Sequence, residues 1–261
     1  MRRRFFVDHF DSNSALLRGD TADHLGRVLR AQPGQQYELS DGKAVWLGRI
    51  KRVALSKSHN GEIEFELVEM IRARAPALRV HLLLSITKFD RFEWSLEKAT
   101  ELGAAEITPL LAERTDKPLL AAAVKRHARW ERILLESAQQ CRRLAQPVLH
   151  EAIRPADAFA ASTEGLKILC SERPNTAHIR ELLGNAEATD SAVAVGPEGG
   201  WTDGELAAAR GAQFAEASLG DNILRSETAV ITVLAVLQYA LGNLPLEAGG
   251  DREHLTDETS V

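Results

Sequence analysis

Two short segments carry residue types whose spacing could build a ligand pocket. The first is Val195-Gly196-Pro197-Glu198-Gly199-Gly200-Trp201-Thr202-Asp203-Gly204-Glu205. An apolar run passes into a glycine-rich turn and then into a helix whose start is marked by Thr202 and Glu205 at capping-box spacing, a cap worth about 1 kcal/mol. Glycines at Gly196, Gly199 and Gly200 let the backbone approach a flat ligand closely. The second segment is Leu219-Gly220-Asp221-Asn222-Ile223-Leu224-Arg225-Ser226-Glu227-Thr228-Ala229. It follows another apolar run, Phe214 to Leu219, and groups Arg225, Glu227 and Thr228 at the beginning of a long apolar helix, where Glu227 suits the positive end of the helix dipole. Taken singly, each loop reads as an ordinary strand-to-helix turn, with Arg225 and Glu227 as a surface ion pair and Thr228 as a cap. Two such loops after successive strands, both polar, point instead to a pocket beyond the carboxyl ends of a sheet.

The elements that must position these loops follow a two-part pattern. Tyr37–Ser40, Ala44–Ile50 and Glu62–Val68 are β-type runs separated by Asp41-Gly42 and by Ser58-His59-Asn60-Gly61, which are hairpin signals. A small β-barrel or sandwich is expected there, in a domain covering residues 1–72. From Val80 the pattern changes to buried strands (Val80–Ile86, Ile107–Leu111, Leu166–Cys170, Ala192–Val195) alternating with helices at Glu93–Leu102, Val124–Arg142, Asp203–Arg210 and Glu227–Leu241. Gly103 closes the first of these helices. Alternation of this kind indicates an α/β domain with a mainly parallel sheet, assigned to residues 76–245. Residues 246–261, with five acids and two glycines, are expected to be a disordered acidic tail.

Composition excludes several classes. The amino terminus opens with Arg2, Arg3 and Arg4 but Asp8 and Asp11 interrupt any signal-peptide core, and the apolar run Ala229–Leu241 is too short to span a bilayer. Cys141 and Cys170 lack metal-ligand spacing and are expected as reduced thiols in a cytoplasmic protein with no metal and no membrane partner. The formal charge is −5. Residues 1–75 nevertheless hold 13 Lys/Arg against 10 Asp/Glu, so a basic front rides on an acidic body, an arrangement compatible with RNA docking. Dinucleotide-binding, P-loop, serine-hydrolase and zinc-protease motifs are all missing.

Gly196-Pro197-Glu198-Gly199-Gly200, with Leu219-Gly220 and Ile223-Leu224-Arg225-Ser226-Glu227-Thr228-Ala229, resembles the RsmE-type family, SPOUT-class methyltransferases acting on N3 of a uridine in 16S ribosomal RNA. The likeness extends through Arg4-Phe5-Phe6, His24-Leu25, Val28-Leu29-Arg30, Lys88, Lys98–Gly103, Pro109, and Glu136–Gln140 with Arg142, Arg143 and Pro147. Trp201 stands where relatives often carry Phe. The resemblance implies a PUA-like β-barrel at the front, a SPOUT-type parallel sheet with a carboxyl-terminal trefoil knot, and a homodimer. It also implies an S-adenosylmethionine site walled by Gly196, Glu198, Gly199 and Gly200 on one side and Leu219, Gly220, Leu224 and Thr228 on the other, with Cys170 bordering it or packed in the core. Arg225 is then expected to stabilise negative charge on the uracil, and Glu198 and Glu227 are candidate bases. Arg2, Arg3, Arg4, Arg27, Arg30, Lys88, Arg91, Arg142 and Arg143 are the expected contacts to 16S ribosomal RNA or the small subunit. Rival readings are a SPOUT enzyme methylating ribose 2′-oxygen and a non-catalytic RNA-binding module.

Overall fold

The computed structural model describes residues 3–55, 61–73, 76–184 and 186–242. The expected tail, residue Arg2, most of the Ser58–Gly61 hairpin signal and part of the passage at Arg74-Ala75 lie outside these residues.

The front of the chain forms a five-stranded mixed sheet from β1 (Arg4–Phe6), β2 (Ser14–Arg18), β3 (Gln36–Ser40), β4 (Val45–Ala54) and β5 (Glu62–Ile71), in the spatial order β1-β3-β4-β5-β2. All neighbours are antiparallel except β1 and β3. The period-two alternation of Glu62–Leu67 places Ile63, Phe65 and Leu67 in the core and the glutamates outward. Asp41 makes the β3–β4 turn by accepting from the backbone N–H groups of Lys43 and Ala44, at 2.9 and 2.8 Å. A short helix, α1 (Gly19–Asp23), and a π-helical turn, His24–Val28, close one side, with Ala22 and Leu25 buried.

The remainder is a parallel six-stranded sheet with helices on both faces. Its strands are β6 (Arg79–Ser85), β7 (Ala104–Leu110), β8 (Val148–Leu149), β9 (Leu166–Cys170), β10 (Asp190–Val195) and β11 (Ala215–Ala217), ordered β11-β9-β10-β6-β7-β8. One face is covered by α2 (Phe89–Glu101), α3 (Lys117–Ala123), α4 (His127–Gln140), α6 (Ile179–Leu183) and α8 (Ser226–Leu241), whose Phe92, Leu96, Trp130, Val230, Val233 and Leu234 pack on Leu82 and Leu84. The other is covered by α5 (Pro155–Ala161) and α7 (Asp203–Gly211), with Phe159, Leu206 and Phe214 packed on Leu83, Ala192 and Ala194. Burial on both faces explains the unbroken apolar run of β6, and each such Leu contributes about 1.5–3 kcal/mol relative to exposure.

Several boundaries differ from the sequence expectation. Helix α2 begins at Phe89, a turn earlier than Glu93, because Asp90 suits its first turn and Phe92 and Leu96 face the core. The single helix expected over 124–142 is a 3-10 turn, Val124–Arg126, followed by α4. Strands β1, β2 and β8 and helices α1, α3, α5 and α6 carry no clear signal in the sequence; all have seven residues or fewer, too few to display a period.

The two halves meet at a buried polar joint. The Arg4 guanidinium donates through Nε and Nη2 to Glu38 Oε2, at 3.1 and 2.9 Å, and through Nη1 to the Arg142 carbonyl at 2.6 Å. Arg142 returns an ion pair to Glu38 at 3.3 Å, and Ser40 Oγ donates to the Leu144 carbonyl at 2.6 Å.

Candidate active site

Loops from several strands converge on one cavity of about 430 Å³ at the carboxyl end of the parallel sheet. Its walls are Val195–Trp201 after β10, Ser218–Gly220 with Asn222–Ser226 after β11, and Cys170–Arg173 after β9, with Arg91, Arg114 and Ala229 at the margins. Strand order makes this inevitable: β9 lies between β10 and β11, so its own loop becomes the floor between the two glycine-bearing loops.

The β10 loop is held in a defined shape. Gly200 has φ of +71° and its N–H donates to the Pro197 carbonyl at 2.9 Å, closing a tight turn that a Cβ would strain. Trp201 is buried and donates its indole N–H to the Cys170 carbonyl at 3.0 Å, tying this loop to the end of β9. A Cβ on Gly196 would come within 3.1 Å of that indole, so the strand-to-loop junction admits only glycine without displacing the ring. Downstream, Thr202 and Glu205 form the complete capping box that their spacing predicted, launching α7. The remaining Glu205 oxygen accepts from the backbone N–H of Glu113 at 2.9 Å, which anchors the loop carrying Arg114. Arg114 in turn donates to the Gly199 carbonyl at 3.0 Å.

The β11 loop is joined to the first directly. Ser226, the first residue of α8, donates its hydroxyl to the Gly196 carbonyl at 3.0 Å. Ser218 accepts from the Gly220 N–H at 3.3 Å and donates to the Gly220 carbonyl at 2.9 Å, holding Gly220 at φ of +146°. A Cβ there would meet nothing within 4 Å, so the backbone stands open for a ligand.

Charge at the rim is organised around Arg91. Its guanidinium pairs with Glu198 and lies 3.8 Å from Glu227 Oε1, whereas Glu227 Oε2 is buried without a hydrogen-bond partner. Arg225, at the amino cap of α8, reaches the cavity and is exposed; its carbonyl accepts from the Ala229 N–H at 2.8 Å, while its guanidinium has no ion pair or hydrogen bond among the described residues. The alternative of a simple Arg225–Glu227 surface ion pair is not what the structure holds: Glu227 lies against Arg91 instead. Cys170 borders the cavity but is buried, and burial pushes its thiol up to about 12, so it stays protonated and behaves as a small packed group.

Gly196, Glu198, Gly199, Gly200, Leu219, Gly220, Leu224 and Arg225 thus come together around one space. Thr228 does not: it lies exposed on α8, outside the cavity lining, because the helix turns it away while Ser226 and Ala229 face in. Glu227 sits behind Arg91 rather than on the wall. Of the expected RNA contacts, Arg3, Arg30 and Lys88 are exposed, Arg27 pairs with Asp23 at 2.9 Å, and Arg91 lies at the rim. Arg4 and Arg143 need correction. Arg4 is buried and spends its donors on Glu38 and Arg142. Arg143 donates to the Thr100 and Ala145 carbonyls, and burial holds its guanidinium below the ordinary arginine value. Arg4 is thus fixed in the joint between the halves, as Arg142 partly is, and Arg143 is fixed within the rear half. Sequence reasoning missed the Ser171–Arg173 loop and Arg114. The only signal for them was position just beyond a strand's carboxyl end.

Comparison with known proteins agrees with this geometry. A family model described as an RNA methyltransferase domain matches residues 74–238. Ribosomal RNA small subunit methyltransferase E of a Synechocystis species is 34% identical over 84% of this chain and 70% of its own length. The enzyme of the same name from Mesomycoplasma hyopneumoniae is 31% identical over 88% of this chain and 96% of its own. Among solved structures, a methyltransferase from Legionella pneumophila in complex with SAM is 31% identical over 94% of this chain and 100% of its own, with a TM-score of 0.80. The ribosomal RNA small subunit methyltransferase E of Neisseria gonorrhoeae, bound to S-adenosylmethionine, is 29% identical over 93% and 99%, with a TM-score of 0.79. With a domain model covering most of the length and full-length relatives above 30% identity, the chain belongs to the RNA methyltransferase domain family, among the ribosomal RNA small subunit methyltransferase E proteins.

Proposed function

We propose that this protein is an S-adenosylmethionine-dependent methyltransferase that acts on N3 of a uridine in 16S ribosomal RNA. The observation that carries the reading is the direct junction of the two glycine-bearing loops, Ser226 Oγ to the Gly196 carbonyl, around a cavity large enough for a nucleoside-sized ligand. The residues fit that ligand. Open backbone at Gly220 and apolar flanks at Leu219 and Leu224 suit an adenine ring, and Glu198 supplies negative charge for a sulfonium.

When bound, the cofactor supplies an electrophilic methyl group. The rest falls to the chain. N3 of uracil carries a proton at neutral pH, so the acceptor becomes nucleophilic only as that proton leaves and negative charge spreads to the flanking carbonyls. Arg225, unpaired at the cavity mouth, is placed to stabilise that charge, the kind of contact whose removal costs about 10²–10³ in rate. Glu198 on the cavity wall and Glu227 behind Arg91 are the candidate proton acceptors, with the Arg91 guanidinium between the two carboxylates. The base must be unpaired or flipped to enter.

Two sheets with separate cores support a division into an RNA-docking part, residues 1–72 with a PUA-like barrel, and a catalytic part, residues 76–245 with a trefoil knot of the SPOUT type. We propose docking through Arg3, Arg27, Arg30, Lys88 and Arg91, a homodimeric assembly, and work in the cytoplasm on 16S RNA or the small subunit. No helix of the described residues is long and apolar enough to cross a membrane. The test is methylation of small subunits from a strain lacking the gene, followed by nucleoside mapping. 3-Methyluridine at one site is expected, whereas a 2′-O-methyl product or no transfer would overturn the reading.

A further inference from the structure

The amino-terminal half of the parallel sheet holds a second group of chemically active side chains, on three neighbouring strands and far along them from the cavity. His81 is the third residue of β6, Glu106 the third of β7, and His150 directly follows the edge strand β8. A ring nitrogen of each histidine and a Glu106 oxygen lie within 4.8 Å of one another, and the two rings are 5.4 Å apart. We propose that His81, Glu106 and His150 form a zinc site that fastens the edge strand to the sheet, separate from the methyl-transfer site.

Ligand chemistry and the surrounding contacts carry this. Two imidazoles and one carboxylate are a common three-ligand set for zinc, with water in the remaining position. His81 Nδ1 lies 2.8 Å from Glu164 Oε1, so this nitrogen carries the hydrogen and donates it, leaving the Nε2 lone pair directed at the cluster side, where Thr108 Oγ1 now lies 2.8 Å away. A carboxylate on the far nitrogen is the contact that orients metal-binding histidines and raises their basicity. Glu164 Oε2 is buried with no hydrogen-bond partner, so this carboxylate engages the fold through its Oε1 contact to His81. Glu106 is arranged likewise: Arg79 donates to Oε1 at 2.6 Å, while Oε2 faces His150 Nε2 at 2.7 Å. Tetrahedral zinc with bonds near 2.0 Å needs ligand atoms about 3.3 Å apart, so modest opening of the His150–Glu106 contact admits the ion. In the bound form the His150 hydrogen is carried on Nδ1, and the Thr108 hydroxyl turns its hydrogen away from His81 Nε2 to free that lone pair.

The site has a structural purpose. β8 is two residues long and pairs through Glu106↔Val148 and Ile107↔Leu149, continued by the His150 N–H donating to the Ile107 carbonyl at 2.9 Å, with Val148 52% exposed. An ion bridging His150 to His81 across β7 would clamp this edge.

The test uses full-length protein stripped with a chelator, dialysed and titrated with zinc, with magnesium as control. Wild type should retain about one zinc per chain and melt at a higher temperature with zinc than with magnesium. His150→Ala, a half-exposed edge position, and Glu106→Gln should each lose the zinc and the melting shift while S-adenosylmethionine binding is unchanged. Glu164→Gln should still bind zinc, but about tenfold to a hundredfold more weakly. Zinc content near zero in wild type, or equal zinc in wild type and a folded His150→Ala, would overturn the proposal.

Discussion

The two sheets solve opposite problems. In the front sheet one face of β4 and β5 meets water, and its charges are spent on each other: Lys51 pairs with Glu64 at 3.1 Å, Arg52 with Glu62 at 3.0 Å and Arg18 with Glu62 at 3.3 Å. In the rear sheet both faces are covered, so polar groups collect at the strand ends, apart from the His81, Glu106 and Thr108 group toward the β8 edge. The front can be altered at many outward positions without consequence, because exposed ion pairs contribute about 0–1 kcal/mol each. The rear concentrates chemistry where the backbone leaves the sheet, and single atoms there matter. Net charge taken over the front is consequently a poor guide to docking, since six of its ten described lysines and arginines already face a carboxylate.

The contrast can be broken from either side. The largest effect is expected at Arg225→Ala, which should lower kcat by about 10²–10³ while leaving S-adenosylmethionine affinity within threefold. Single-turnover methylation beside calorimetry measures both, and unchanged turnover would remove Arg225 from the chemistry. Next comes Glu38→Ala, which leaves the buried Arg4 guanidinium without its carboxylate and should cost about 3 kcal/mol in denaturant unfolding. A cost below about 1 kcal/mol would show that the joint is merely a surface contact. Gly220→Ala should strain the β11 loop by about 1–3 kcal/mol, lowering the melting temperature by several degrees, and weaken cofactor binding about tenfold.

A smaller, pH-dependent effect is expected at Glu93, whose carboxyl is held below its usual range by hydrogen bonding to Arg129, against some opposing desolvation, with Arg126 adding to the lowering. A carboxyl depressed in the folded state stabilises above its unfolded pKa of about 4.3 and loses that contribution as pH falls through the lower folded value. Glu93→Gln should therefore melt lower than wild type near neutrality and converge with it in acid; a constant gap would contradict this. The smallest change is expected at Lys51→Ala on the front sheet, within about 0.5 kcal/mol of wild type.

Legibility in the sequence followed the same divide. Alternation exposed β5, continuous apolarity exposed β6, and Thr202 with Glu205 marked the start of α7, because in each the local signal and the tertiary environment agree. The two glycine loops were readable as loops, but their meeting was not, since it depends on β9 lying between β10 and β11. Arg4 and Arg143 misled for a related reason: an arginine reads as a solvent-facing cation until the carbonyls and the carboxylate that receive it are placed. Thr228 misled by one helical step, as α8 presents Ser226 and Ala229 inward. The His81–Glu106–His150 grouping had no sequence signature, because its members are brought together by strand pairing alone.

The buried joint of Arg4, Glu38 and Arg142 turns the front sheet into a ruler. With its guanidinium locked against backbone and carboxylate, whatever grips the helical stretch around Arg27 and Arg30 is held at a set span from the mouth where Arg225 waits. Under the docking proposed above, selection among uridines would become a matter of measured distance along a folded RNA, with the nucleotides around the target having little to spell out.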